Sequence, residues 1–283
     1  MRVRPFYILL LIAVFMLASC KGKPAQKKGK YVVLSPETAE IIAALGAVDE
    51  IIGVSKECSY PPALKSKEIV GDFGAIDKEK VLNLSPQIVF SSGLEQEAIA
   101  LDLKKLGINV YESYPQTVRE MLDEIIKIGN LIGRDAQASA LRDSIQIELD
   151  RIVQANKDTR RPTVYLEIYR DPLMSVADDS FVGELIELAG GNNAFDRLER
   201  DYSRVKAEAI IQANPDIMIC YSHDSLQNVL NRKGWARIPA IAQKNIYFEK
   251  DIDPDLIQRA GPRILEGLRQ LDEIFENWRL QSK

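Results

Sequence analysis

The chain has little of what bare-metal capture and hydrolysis require. Its 283 residues include one histidine, His223, and three cysteines. Protein sites for zinc or manganese usually combine several imidazoles with a carboxylate, so a single histidine argues against direct capture of such an ion. The sequence also lacks G-x-S-x-G, H-E-x-x-H and a glycine-rich phosphate loop, the motifs of common hydrolases and nucleotide-binding proteins. We therefore predict neither catalytic residues nor a resident metal or other cofactor.

Charge is distributed unevenly along the chain. The whole sequence has 37 bases and 41 acids, yet residues 1–30 contain seven bases and no acid. Residues 31–283 therefore carry a net charge of about −11. A body this acidic repels polyanions, so we predict no nucleic-acid partner. It suits contact with a basic protein surface better.

The first nineteen residues have the pattern of a bacterial lipoprotein signal peptide. Arg2 and Arg4 precede an apolar run of twelve residues, Phe6–Leu17, which is too short to span a bilayer comfortably. The run ends in Leu-Ala-Ser followed by Cys20, where signal peptidase would cleave and a lipid would attach to the thiol. A short membrane anchor, or an ordinary cleaved signal with an incidental cysteine, is the alternative interpretation. We predict a signal peptide over 1–19 and lipidation of Cys20.

Residues 20–30 predict a flexible basic tether, because five lysines, glycines and a proline occur there with few apolar residues. With several acyl chains on Cys20, the protein would be anchored stably to the cell membrane on its extracytoplasmic side. The remaining cysteines, Cys58 and Cys220, are expected in different halves of the molecule. A disulfide there would join the halves rigidly, so we favour two separate thiols.

Short β-branched runs alternate with helical patterns along the rest of the chain. In the first half, strands are predicted at Tyr31–Leu34, Ile51–Val54, Gln87–Phe90 and Asn109–Tyr111, with helices at Thr38–Leu45, Lys78–Leu84, Gln96–Leu106 and Val118–Ile132. After Arg160 the pattern restarts, with strands at Thr163–Ile168, Asp216–Cys220 and Asn245–Phe248 and helices at Phe181–Ala189, Lys206–Ala213 and Pro262–Leu280. This alternation predicts an α/β protein with two Rossmann-like lobes, 31–133 and 158–283, each built on a parallel sheet.

One long helix is predicted between the lobes, over 134–157. This segment contains no glycine or proline and has regular spacing of leucine and isoleucine. Such a helix would be ~35 Å long. A single rigid helix differs from the paired flexible segments that join the lobes of many hinged proteins. We therefore expect little closure of one lobe on the other.

The two halves also resemble each other. Glu79 and Glu208 each stand in a first helical turn, seven residues before a proline that ends the helix and precedes a strand. Glu40 and Glu184 similarly begin related sequences that end in Leu-Gly and Ala-Gly. Any helix–proline–strand unit can look like this, which is the plain alternative. An internal repeat would place two equivalent lobes around a groove.

Several local sequences, in this order and spacing, resemble one family. They are Leu34-Ser35-Pro36, Cys58-Ser59-Tyr60-Pro61-Pro62, Val70-Gly71, Leu185-Ile186-Glu187-Leu188-Ala189-Gly190-Gly191, Asn214-Pro215-Asp216, Trp235 with Ile238-Pro239-Ala240, and Gly261-Pro262-Arg263. Through nearly all of 31–283 the chain is similar to the periplasmic binding proteins that serve ABC importers of vitamin B12, ferric siderophores and haem. The resemblance implies a monomer that binds a metal chelate or corrinoid and docks on an ABC permease dimer with its ATPase. It further implies that Glu79 and Glu208 contact permease arginines, one per subunit, although either glutamate alone would pass as a solvated helix-start residue.

Ligands of parallel sheets lie beyond the carboxyl ends of the strands. The residues predicted at those ends and in nearby loops are Ser35, Tyr60, Ser92, Tyr114, Tyr169, Arg170, Tyr221, Trp235 and Asp253. Aromatic residues make up only 7% of the chain, so their grouping here favours a large, flat, partly apolar ligand. Tyr60 and Trp235 match positions that the family uses at its groove.

Some interpretations stay open from the sequence. Arg170 is expected to pair with a ligand carboxylate or phosphate, or only with Glu167 or Asp171. The Tyr60 sequence is most similar to that of the vitamin B12 binders, but Ser59 stands where an acid is common, so the ligand is not identified. His223 is either a polar loop residue or a ligand to the iron or cobalt centre of a bound chelate. A surface sensor or adhesion module of the same fold, or a secreted hydrolase, is the alternative function.

Overall fold

The first lobe is built on a five-stranded parallel sheet in the computed structural model, which describes residues 29–281. Its strands are β1 (Tyr31–Val33), β2 (Ile51–Ser55), β3 (Glu68–Gly71), β4 (Ile88–Ser92) and β5 (Val110–Ser113), in the order β3-β2-β1-β4-β5. Its helices are α1 (Pro36–Ala44), α2 (Lys78–Leu84), α3 (Gly93–Lys105) and α4 (Val118–Leu131). The central strands are buried on both faces, which is why they read as continuous apolar runs.

The long connecting helix is α5 (Asp135–Asn156), one residue shorter at each end than predicted. Its buried positions include Ala138, Ile145 and Leu149, which face the rest of the protein. It packs closely on α4, because Gly129 lies against Ala138 with no room for a side chain: a Cβ at Gly129 would be 2.3 Å from the Cβ of Ala138. The connector is therefore fixed closely against α4 near its first turn.

The second lobe contains a four-stranded parallel sheet, three of whose strands the sequence predicts; the two-residue strand Asn192–Asn193 was not predicted. Its strands are β6 (Thr163–Glu167), β9 (Asn192–Asn193), β11 (Ile217–Cys220) and β12 (Ile246–Phe248), in the order β12-β11-β6-β9. A small antiparallel sheet was not predicted; it is formed by β7 (Tyr169–Arg170), β8 (Leu173–Val176) and β10 (Tyr202–Arg204). Strands of two to four residues are too short for a period-two pattern to stand out.

Six helices of the second lobe complete the described fold. They are α6 (Phe181–Leu188), α7 (Ala207–Ala213), α8 (Leu226–Leu230), α9 (Pro239–Ala242), α10 (Pro254–Gln258) and α11 (Ile264–Gln281). The final helix returns to the connector, where Asn156 Nδ2 donates a hydrogen bond to Asp272 Oδ1 at 2.9 Å. Within residues 29–281 no helix has both the length and the apolar character needed to cross a membrane. The predicted signal peptide, Cys20 and most of the tether lie outside the described residues.

The predicted internal repeat has matching local geometry. Glu79 and Glu208 are each the second residue of their helix, α2 and α7. Both helices end in a left-handed residue: Ser85 has φ 49° and ψ 57°, and Asn214 has φ 49° and ψ 54°. A proline and then a buried strand follow in each lobe. The similarity therefore extends to backbone torsions.

The second repeated pair, Glu40 and Glu184, joins the lobes to each other. Glu40 on α1 accepts hydrogen bonds from Arg259 and Arg263 of the second lobe. Glu184 on α6 accepts one from the backbone N–H of Val118 in the first lobe, at 2.7 Å. One continuous hydrophobic cluster also contains residues of both sheets and of the connector. These contacts join the two lobes, and little domain closure stays a prediction.

Candidate ligand-binding groove

A groove runs between the lobes and consists of two adjoining depressions that share Glu95, Tyr202 and Gln258. The other residues lining them are Glu37, Ser92, Tyr114, Pro115, Gln116, Ile168, Phe181, Asp201, Tyr221, His223, Glu249, Pro254 and Ala260. Both lobes thus supply walls, as an internal repeat would require.

The groove lies at the carboxyl ends of parallel strands. Ser92 ends β4, Tyr114 follows β5, and Tyr221 and Glu249 follow β11 and β12. The backbone carbonyls and side chains at such ends are free of covering helices, which makes this edge of a sheet a usual ligand site. Three of the predicted binding residues, Ser92, Tyr114 and Tyr221, are brought together here.

Two other predicted residues lie at helix starts beside the groove. Ser35 is buried and caps α1, where its Oγ accepts a hydrogen bond from Thr38 N at 3.3 Å. Asp253 caps α10, where its Oδ1 accepts from Asp255 N at 2.9 Å. Each oxygen satisfies a backbone N–H that has no partner within the helix. These side chains fix the helices whose neighbouring residues, Glu37 and Pro254, line the groove.

Tyr60 lies outside the two depressions but bridges the lobes. Its side chain is 42% exposed, and the guanidinium of Arg263 lies over the ring, 4.1 Å from the centroid. This geometry is a cation–π contact. Hydrogen bonding to Glu40 raises the pKa of Arg263, which keeps the cation of that contact charged.

Trp235 does not line the groove, so this prediction was wrong. Its side chain is 2% exposed, within the core of the second lobe. The indole packs edge-on against Tyr165, with ring centroids 6.2 Å apart, and Arg232 lies over it at 4.6 Å. The turn that carries Trp235 folds back on the sheet, so Trp235 and Tyr60 do not face each other across the cleft.

Neither intramolecular partner proposed for Arg170 is correct. Its Nη1 donates to Asp224 Oδ1 at 3.0 Å, rather than to Glu167 or Asp171. The preceding Tyr169 is 56% exposed and does not line either depression. Both residues belong to the short strand β7, which pairs with β8 in the separate antiparallel sheet.

A buried ion network supports the floor of the groove in the second lobe. Glu167 is fully buried and accepts two hydrogen bonds from Arg232, at 2.5 and 2.7 Å, and one from Ser222 at 2.6 Å. Arg232 also donates to Asp224 at 2.9 Å. Burial acts to lower the pKa of Arg232, but the hydrogen bonds and charges of Glu167 and Asp224 outweigh it and raise the pKa. The network fixes the loop that begins at Tyr221.

The tyrosines of the groove are hydrogen-bond donors at neutral pH. The Tyr202 side chain is 43% exposed, but desolvation of its phenol, followed by the influence of Tyr114, Asp201 and Glu95, raises its pKa to about 12. Burial and then nearby carboxylates also raise the pKa values of Tyr114 and Tyr221. The Tyr221 side chain is 7% exposed, and its hydroxyl has no hydrogen-bond partner among the residues described.

Several lining residues were not predicted, chiefly Glu95, Gln116, Asp201, Tyr202 and Gln258. Gln116 Nε2 donates to Asp201 Oδ2 at 3.2 Å, a hydrogen bond that crosses from one lobe to the other. Tyr202 begins a strand of the antiparallel sheet that the sequence pattern did not indicate. The strand-end rule could have suggested Gln116, which comes three residues after β5.

Glu79 and Glu208 are exposed, outside the groove. Among residues 29–281, no base lies within ion-pair distance of either carboxylate. The same part of the chain contains no group of three or more His, Cys, Asp or Glu placed to hold a metal ion. His223 lines the groove, and its Nδ1 lies 3.1 Å from Glu249 Oε1.

Comparisons with known proteins agree with this architecture. A lipoprotein of Bacillus subtilis (strain 168), named as the uncharacterized ABC transporter substrate-binding lipoprotein YvrC, is 30% identical over 301 aligned positions, covering 93% of this chain and 94% of that protein. A vitamin B12-binding protein of Vibrio vulnificus (strain CMCP6) is 26% identical, covering 95% of each.

Among solved structures, a possible iron-binding (periplasmic solute-binding) protein of Staphylococcus epidermidis ATCC 12228 superposes with a TM-score of 0.77. It is 28% identical and covers 88% of this chain and 99% of its own. The profile of the family described as periplasmic binding protein matches residues 32–252. The chain therefore belongs to the periplasmic binding protein family.

Proposed function

We propose that this chain is the lipid-anchored substrate-binding protein of an ABC importer and captures a large chelate outside the cytoplasm. The ligand class comprises cobalamin, ferric siderophores and haem. The observation that carries the proposal is the groove between two repeated lobes, lined by Tyr114 and Tyr221 just after strand ends and by Tyr202. Aromatic walls with scattered donors suit a broad ligand that has an apolar body and a polar rim. A vitamin B12-binding protein among the relatives supports the same ligand class.

The delivery step would use the two exposed glutamates of the repeat. Glu79 and Glu208 occupy the same helical position in each lobe, so their carboxylates are related by the internal symmetry. A permease dimer presents two equivalent surfaces, and a basic group on each would meet one glutamate. The net charge of about −11 on residues 31–283 favours approach to a basic partner.

Anchoring would depend on Cys20 and on the tether that follows. The Leu-Ala-Ser-Cys20 sequence and the basic residues 21–30 support it, as does the relative named as a lipoprotein. Growth of the expressing cells with a labelled fatty acid tests this part. Wild-type protein is expected to carry the label in the membrane fraction, whereas Cys20→Ser should be unlabelled.

Calorimetric titration tests the proposed ligand class directly. Protein lacking residues 1–20 is titrated with cyanocobalamin, haem and several ferric siderophores. One class is expected to bind one-to-one with a Kd below about 1 μM. Calorimetry is preferable to tryptophan quenching, because Trp235 and Trp278 are both buried in the protein core. Absence of binding across the whole panel would contradict the proposed function.

A further inference from the structure

We infer that the groove selects a chelate of neutral or positive net charge and rejects anionic ones, with Glu95 and Asp201 as the residues that set this preference. The inference rests on the proposed function and narrows its ligand class. It favours complexes whose rim consists of amide or hydroxamate groups, such as ferric trihydroxamates and corrinoid amides. It disfavours ferric tricatecholates and haem, which carry negative charge on the complex or on its propionates.

The first observation is the sign of the charges that line the groove. The first lobe contributes Glu37 and Glu95, and the second contributes Asp201 and Glu249. Of the described residues that line the two depressions, none is a lysine or an arginine. Carboxylates therefore face the ligand from both walls, where a bound anion would meet like charge at short range.

The acids are not neutralised by bases within the groove. Glu95 Oε2 accepts a hydrogen bond from Ser92 Oγ at 3.0 Å, and Asp201 Oδ2 accepts from Gln116 Nε2 at 3.2 Å. Both donors are uncharged, so they orient the carboxylates without removing their charge. Glu249 differs, because its Oε1 already lies 3.1 Å from the ring nitrogen Nδ1 of His223. Glu95 and Asp201 are therefore the better determinants.

Arg259, which directly follows the lining residue Gln258, and Arg263 are engaged elsewhere. Arg259 and Arg263 both pair with Glu40, and Arg259 also pairs with Asp255 at 2.8 Å. Neither lines the depressions. These two cations would offset the negative charge of the groove only if their pairs with carboxylates opened, and the Glu40 pairs join the two lobes.

The second, independent observation is the hydroxyl of Tyr221. This side chain is more than nine-tenths buried, lines the groove, and has an Oη without a hydrogen-bond partner among the described residues. A buried hydroxyl without a hydrogen-bond partner costs free energy. Its position at the groove therefore indicates a ligand group that would form the missing hydrogen bond. As a phenol it donates to an oxygen acceptor, which amide and hydroxamate rims supply.

Ligands that differ only in charge provide the sharpest test. One series is a ferric trihydroxamate with a free amine (net +1), its N-acetyl derivative (net 0) and its N-succinyl derivative (net −1). The second is cyanocobalamin and its monocarboxylic acid. The proteins are wild type, the double variant Glu95→Gln/Asp201→Asn, and the control Asp123→Asn/Glu276→Gln, which loses two exposed acids outside the groove.

In whichever series binds, wild type and control are expected to prefer the least negative member by about tenfold or more. The double variant should bind all members of that series within about threefold of one another. Added salt should narrow the wild-type spread, because ions screen partly exposed charges. A melting temperature within a few degrees of wild type shows that the double variant is folded; if it is not, Glu95→Gln alone is used.

The outcomes separate the two proposals. Binding of a series with no charge preference in wild type, or with the preference retained in the double variant, overturns the charge inference alone. Tight binding of haem or a ferric tricatecholate in place of both series also overturns it and leaves the proposed function standing. If no chelate of any class binds, the proposed function fails, and the inference fails with it.

Discussion

Glu40 and Arg263, 223 positions apart in the chain, form a two-point ion pair between the lobes. Arg263 Nε donates to Glu40 Oε2 at 2.8 Å, and Arg263 Nη2 donates to Glu40 Oε1 at 2.7 Å. Arg259 approaches the same carboxylate at 3.1 Å, and Tyr60 stacks on Arg263. A first-lobe carboxylate is thus enclosed by second-lobe cations.

Replacing Glu40 by Gln should destabilise the whole protein. The carboxylate is almost fully buried, so its loss leaves two largely buried guanidinium groups without their counter-charge. We expect the free energy of unfolding to fall by roughly 3 kcal/mol, measured by denaturant titration. Glu276→Gln, an exposed helical change, should cost less than about 0.5 kcal/mol. An equal, small effect of both substitutions would show that the pair contributes nothing.

Tyr221→Phe should weaken ligand binding without weakening the fold. Its hydroxyl has no partner within the described protein, so removing it costs no internal hydrogen bond. With ligand bound, the lost hydrogen bond should reduce affinity by about 0.5–1.5 kcal/mol, or roughly 2- to 12-fold, by calorimetry.

Tyr165→Phe is the matched control, because that hydroxyl donates to Glu167 at 3.1 Å. It should lower the melting temperature, whereas Tyr221→Phe should leave it unchanged or raise it slightly. If Tyr221→Phe loses stability but keeps its affinity for the ligand, the hydroxyl stabilises the fold and does not bind the ligand.

Reversing both repeat acids, Glu79→Lys with Glu208→Lys, should abolish uptake while ligand affinity stays at the wild-type value. Both side chains are exposed and lie outside the groove, so the fold and the ligand site should tolerate the change. Each single charge reversal should leave the other glutamate able to contact its permease subunit, so uptake should fall only partially. Uptake of labelled ligand by cells and binding to permease in nanodiscs are the measurements.

The control for that experiment is Asp123→Lys with Glu276→Lys, which makes the same change in net charge on other exposed helices. It should transport at nearly the wild-type rate. If both double variants lose uptake equally, bulk charge rather than the two repeat positions governs docking. Unchanged uptake in the Glu79 and Glu208 variant refutes the docking proposal.

The two thiols of the body should be inert in the native protein. Cys58 and Cys220 are buried and unbonded to each other, as the sequence indicated. Burial raises the pKa of Cys58 to about 11 and also raises that of Cys220. A raised pKa lowers the thiolate fraction, so at pH 8 only about 0.1% of Cys58 would be reactive even if a reagent reached it.

Iodoacetamide labelling followed by mass spectrometry checks this. Using a Cys20→Ser protein, we expect almost no modification at pH 8 in buffer and two modifications per chain in urea. Native labelling should rise with pH, because deprotonation increases towards the raised pKa. Rapid native labelling at pH 7 would contradict the burial of both thiols.

The fold was largely predictable because its sheets are buried. Strands such as β4 and β11 must be apolar on both faces, and prolines mark where their preceding helices end. Helix starts were predicted less well: α3 begins at Gly93 rather than Gln96, and Gln96 has non-helical torsions at a kink within the helix. The antiparallel sheet could not be predicted, because its pairing depends on contacts between β8 and the distant β10.

The groove was only partly predictable for a related reason. Ser92, Tyr114 and Tyr221 follow from the strand-end rule, which needs only local sequence. Asp201 and Tyr202 reach the groove because β10, which Tyr202 begins, pairs with the distant β8. Trp235 was wrongly predicted to line the groove, because its position in a loop does not show whether its side chain is buried. Its burial arises from packing on Tyr165 and Arg232.

The reciprocal use of Glu40 and Glu184 has a consequence for dissecting the molecule. Each lobe contributes one carboxylate that accepts hydrogen bonds from the other lobe, and the apolar cluster continues between the lobes. A fragment expressed alone would expose that cluster and hold an acid whose partners are missing. We therefore expect the two sheets to fold and unfold as one cooperative unit, and cutting the chain at the connector should give insoluble fragments instead of two folded lobes.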